Sequence, residues 1–178
     1  MIHNLQAVIT LLKESEIRRH TTNLRVVVYP GVKDLCGRSS PNSTCPHSDF
    51  HLVNPQVLAD ADVVLLTFQT LSNDLGHSDD NPYTGDDGSR LRQRKRHIVL
   101  PSPLTSINWH RVVLDEAQRV ESPITASAKM ARKLKTERRW CVSGTPIGRG
   151  KFNDLHGLFL FLSFKPFDEK NWFMNSFI

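Results

Sequence analysis

Three places in the sequence gather side chains that could do chemistry. The first is the run Val-Val-Leu-Asp-Glu-Ala-Gln, where an apolar stretch ends in the adjacent carboxylates Asp115 and Glu116, with Gln118 two positions on. A site that hydrolyses a nucleotide needs one carboxylate to hold Mg²⁺, usually through water. It needs a second to orient or deprotonate the attacking water. Adjacent positions on an extended chain point opposite ways, so the pair can divide those tasks. An acidic helix start after a strand reads the same without chemistry, because Asp and Glu favour the positive end of the helix dipole. The second place is Trp140 to Gly150, where an apolar run meets Ser143, Gly144, Thr145 and Pro146. Gly144 lets the backbone turn sharply, and Pro146 cannot continue a strand ladder. Short hydroxyls at such a turn can relay the state of a phosphate site to a moving segment. An ordinary strand-to-helix turn uses the same residues. The third is Cys36, Cys45, His47 and His51, all acceptable zinc ligands. The gap between the two cysteines exceeds the usual zinc spacing, so an irregular polar loop with incidental thiols is the favoured reading.

The elements that must position these residues follow from the apolar pattern. Leu24–Tyr29, Asp62–Phe68, Arg111–Leu114 and Arg139–Val142 are short β-branched runs. The first three are nearly continuous, as in parallel strands buried on both faces. His3–His20, Ile124–Leu134 and Asn153–Phe161 can hold helices between and after them. Strands alternating with helices predict an α/β fold, a parallel sheet flanked by helices. Residues 32–57 and 72–103 break the rhythm with Gly, Pro and Ser and read as surface insertions. Trp109 and Trp140 flank core strands and read as packing groups, and Cys141 reads as a buried thiol.

With 178 residues, the chain suits one domain or slightly more. Its 39% hydrophobic and 23% charged content excludes wholesale disorder. Three cysteines without a dense pattern exclude a disulfide scaffold and point to a reducing compartment. Lys and Arg number 23 against 18 Asp and Glu, and Arg90, Arg92, Arg94, Lys95 and Arg96 account for the whole excess of five. Such a block suits a nucleic-acid patch or a nuclear localisation signal, or a solvated loop whose charge nearby aspartates partly cancel.

Asp115 and Ser143 lie 28 residues apart, room for one strand–helix–strand step. Together, Asp-Glu-Ala-Gln and Ser-Gly-Thr-Pro resemble motifs II and III of superfamily 2 helicase-like ATPases, specifically the SNF2 chromatin-remodelling group. Leu65–Leu71 resembles that group's motif Ib, and Asp154–Leu162 resembles the helix after motif III. Gln118 replaces the histidine found in many members, and this matches a subgroup whose full-length members add a RING domain for ubiquitin transfer. The resemblance runs from about Glu16 to Trp172. It implies a DNA-stimulated ATPase lobe of RecA-like fold acting on DNA or chromatin in the nucleus, with ATP and Mg²⁺ as cofactors. It implies that Asp115 holds Mg²⁺, that Glu116 activates water, and that Gln118 contacts motif III. Ser143, Gly144 and Thr145 would couple hydrolysis to movement, and Thr67 would face a DNA strand. Arg92, Arg94, Lys95 and Arg96 would contact nucleic acid. Ubiquitin-pathway partners would act through domains outside these residues.

One family feature is missing from the 178 residues. The phosphate-binding loop ends in Gly-Lys-Ser/Thr, and residues 1–15 contain no glycine. The expectation is an incomplete first lobe spanning 1–178, without the strand that carries this loop, and with the RING and second helicase lobe outside it. Without that strand the sheet is expected to carry unpaired strand edges. A non-hydrolysing module that binds DNA, chromatin or protein is the alternative. An α/β hydrolase built on Ser143 ranks last, since no Gly-x-Ser-x-Gly elbow is present.

Overall fold

The computed structural model describes residues 7–10, 14–36, 50–78, 100–146 and 153–177. The basic block at 90–96, Cys45 and His47 lie outside the described residues. In chain order the first elements are β1 (Ala7–Thr10), α1 (Glu14–His20), β2 (Val26–Val28), α2 (Val32–Cys36), α3 (Pro55–Ala59), β3 (Val63–Leu66) and α4 (Phe68–Asp74). Then come α5 (Pro103–Ser106), β4 (Asn108–Asp115), α6 (Ala126–Lys133), β5 (Lys135–Val142), α7 (Asn153–Leu162) and α8 (Lys170–Phe177). The strands form one five-stranded sheet in the order β2-β3-β1-β4-β5, and every pairing is parallel.

The four anticipated strands are all present. The helix expected over His3–His20 is not. Among the described residues of that stretch Glu14–His20 is helical, and Ala7–Thr10 is a strand in the middle of the sheet. Ala-Val-Ile-Thr is too short to declare a period. It is held by two ladders, Ile9 opposite Leu65 on one side and Val113 on the other. The centre of the sheet is therefore filled, and the open edges are three-residue β2 and eight-residue β5. β1 does not bring the missing loop, since Leu11-Leu12-Lys13 follow it in the sequence.

The main core lies on one face of the sheet. Val64, Leu66, Val112 and Leu114 pack there with Leu71 of α4, Met130 of α6 and Phe161 of α7. Gly157 lets α7 approach the backbone of Glu121 so closely that a Cβ there would collide with it. On the other face α1 covers little, with Ile17 packed over Val26, Val63 and Leu65. Trp109 is buried and donates its indole N–H to Leu104 O at 3.0 Å. Trp140 departs from its expected packing role. It is 52% exposed, since among the described residues no helix covers that face beyond β4, and Arg111 stacks over it at 5.4 Å.

The described ends of the two suspected insertions are anchored to the fold. At the ends of the first, Val32–Cys36, Phe50–Val53 and Pro55–Ala59 form short helical turns, and Val32 and Leu58 are fully buried. Asp74 holds the flanks together. Its buried carboxylate accepts hydrogen bonds from Tyr29 Oη (2.8 Å), Val32 N (3.0 Å) and Ser102 Oγ (2.6 Å). A buried charge is tolerated when it is so satisfied, and removing it strands its donors. Asp74→Ala should lower the urea-unfolding free energy by about 3 kcal/mol or more, whereas Asp60→Ala on the surface should change it by about 0.5 kcal/mol or less.

Candidate functional site

β4 and β5 run side by side to the same edge, with Asp115 opposite Val142. This places the Asp115–Gln118 turn next to the Ser143–Pro146 turn. The strand stops at Asp115, and Glu116 takes a left-handed conformation (φ 54°, ψ 48°). The two carboxylates therefore do not diverge as neighbours on an extended strand, as the sequence suggested. A non-glycine residue in this region carries a strain of order 1–3 kcal/mol, and such strain gathers at functional sites.

A chain of hydrogen bonds crosses between the two turns. Gln118 donates through Nε2 to Glu116 Oε2 at 2.7 Å, and Gln118 Oε1 accepts from Ser143 Oγ at 2.7 Å. Ser143 Oγ in turn accepts from Thr145 N at 3.1 Å. The amide is suited to this place because it donates on one side and accepts on the other. Glu116, Gly144 and Thr145 are exposed, while Asp115, Gln118 and Ser143 are half-buried.

Asp115 Oδ1 accepts from Glu116 N at 3.0 Å, and among the described residues no partner is present for its second oxygen. One or two carboxylates completed by water and phosphate oxygens suit Mg²⁺. Among the described residues no group of three or more His, Cys, Asp or Glu gathers as a metal cage. The pair thus fits the metal and water half of a nucleotide site. The phosphate half is not supplied here, since no Gly-Lys-Ser/Thr loop exists in the sequence.

Thr67 caps α4, accepting from Thr70 N at 3.0 Å, and is exposed at the carboxyl end of β3. Arg119 ties this end of α4 to the carboxylate turn, with its guanidinium 5.9 Å from the Phe68 ring centre. The sequence reading missed Arg119. Its position one residue after Gln118 was the available signal. It also missed Asp74, since a lone aspartate late in a helix looks like solvated surface.

The fold and the site define a RecA-like parallel α/β lobe whose strand ends carry an Asp-Glu pair linked to a neighbouring Ser-Gly-Thr turn. Comparison with known proteins agrees. The family model for the SNF2-related domain matches residues 9–178, and the chain belongs to that family. It is 41% identical to the human (Homo sapiens) E3 ubiquitin-protein ligase SHPRH over 161 residues, which is 89% of this chain and 9% of that protein. It is 35% identical to the Mus musculus helicase-like transcription factor over 115 residues, which is 65% of this chain and 9% of that protein. The chain thus spans about a tenth of the length of these relatives. Among solved structures, the Sulfolobus solfataricus SWI2/SNF2 ATPase core in complex with dsDNA shares the fold. Its TM-score is 0.52 at 23% identity, covering 90% of this chain and 25% of that one. Among the described residues no helix is long and apolar enough to cross a membrane.

Cys141 lies on β5 one residue before Val142, and burial pushes its thiol up to about 11. The folded state disfavours the thiolate, so this contribution is intact below the ordinary thiol range and fades as pH rises from about 9 to 11. The urea midpoint should fall more between pH 8 and 10.5 in the parent chain than in Cys141→Ala.

Proposed function

We propose that this chain forms part of the first motor lobe of a nuclear, DNA-stimulated SNF2 ATPase. Asp115 would hold Mg²⁺ and Glu116 would orient water. Bound ATP would supply the phosphoryl group to be cleaved. Gln118, Ser143 and Thr145 would pass the state of that site to the neighbouring turn, and Thr67 would face DNA. The supporting observation is the Glu116–Gln118–Ser143 link, which joins the water-orienting carboxylate to the next strand end through one amide. A ubiquitin-transfer role would belong to the whole protein, through domains outside these residues, as the name of the SHPRH relative suggests.

A second reading is a lobe that binds without hydrolysing, and these 178 residues hold no Gly-Lys-Ser/Thr loop. Both readings agree on the isolated chain. A phosphate-cradling loop and an arginine finger each contribute heavily to rate, the finger alone by about 10³–10⁵. The 178-residue chain with saturating duplex DNA should release no measurable phosphate from ATP. Robust turnover that vanishes in Glu116→Gln would overturn this.

A further inference from the structure

We propose that Arg119 is a positioning residue of the carboxylate turn, clamped over the Phe68 ring so that Asp115 and Glu116 meet a divalent cation in a fixed place. This rests on the proposed function, which gives the cation to Asp115. The turn needs holding. Glu116 sits in the left-handed region (φ 54°), a conformation that persists only where its surroundings over-determine it. Beneath the turn, Ala117 and Val120 are fully buried, and Arg119 N donates to Glu116 O at 3.0 Å. Just after it, Gly157 of α7 lies against the backbone of Glu121. These contacts fix the floor and the exit of the turn and leave its two flanks to be held.

Two consecutive side chains hold those flanks. Toward β5, Gln118 Oε1 accepts from Ser143 Oγ at 2.7 Å. On the other side, the Arg119 guanidinium lies 5.9 Å from the centre of the Phe68 ring. Phe68 opens α4, which follows β3, and β3 lies across β1 from β4 while β5 lies on β4's other side. The two contacts therefore brace the turn from opposite directions. The ring is a firm support. Phe68 is buried, and Thr67 before it caps α4 by accepting from Thr70 N at 3.0 Å. Arg119 itself is exposed, and among the described residues it enters no ion pair with a carboxylate. As a bare charge it would only repel a cation at Asp115. As a planar group stacked on a ring it can fix the turn that presents the carboxylates. The two roles predict opposite signs for its removal.

The test is titration of the 178-residue chain with Mn²⁺ alone, standing in for Mg²⁺, read as broadening of the backbone amide signals of residues 113–118. Arg119→Ala should weaken Mn²⁺ binding about two- to fivefold, the change that an exposed cation–π contact converts to. Phe68→Leu, which keeps the charge but loses the ring, should weaken it by a similar factor. Both changes together should weaken it no further than either alone. Circular dichroism confirms that each variant is folded, and if Phe68→Leu is not, Arg119→Ala decides alone. A merely structural Arg119 would shift the unfolding midpoint and leave the Mn²⁺ affinity of the folded chain where it was. Unchanged or tighter binding in Arg119→Ala, or additive losses, would overturn the clamp, provided that Asp115→Asn abolishes the broadening. Broadening that survives in Asp115→Asn, or none in the parent chain, would overturn the metal assignment and the clamp together.

Discussion

The parallel pairing of β4 with β5 is the constraint on which the rest of this molecule depends. Its register ends with Asp115 opposite Val142, so two chemically loaded turns emerge together. Shifting the ladder by one residue would turn every side chain to the other face. Val112 and Leu114 would then leave the core they share with Met130 and Phe161. The site is thus positioned by apolar burial beneath it. The Glu116–Gln118–Ser143 hydrogen bonds only become possible once that burial has set the register.

The site end of the chain was legible because its signals are local. A β-branched run ending in Asp-Glu, and another ending in Ser-Gly-Thr-Pro, announce both the strand and its termination. Even there, one detail escaped. Nothing in Asp115-Glu116 declares that Glu116 turns left-handed at the start of the short helical turn that follows it. The sheet centre was not legible. Ala7–Thr10 has four residues and no period of its own, and is a strand only because two neighbours pair with it. Trp140 was misjudged for a related reason. Whether a strand residue is buried depends on which faces carry helices, and among the described residues α1 packs on the β2–β3 side.

Charge shows the same division. Counting assigned the whole excess to residues 90–96, and the count is correct. Burial and bonding then sort the remaining charges in a way no count can. Arg139 is drawn into the fold beside Phe161, where burial lowers its pKa, and Asp74 is wholly enclosed. Lys129, Arg132, Lys135 and Arg138 remain exposed.

The central claim is that Gln118 physically couples the two strand ends. A double-mutant cycle on unfolding free energy, with Gln118→Ala, Ser143→Ala and both together, measures that coupling directly. The account predicts an interaction of about 1 kcal/mol between the two positions, the worth of one half-buried hydrogen bond. Strictly additive effects would contradict it.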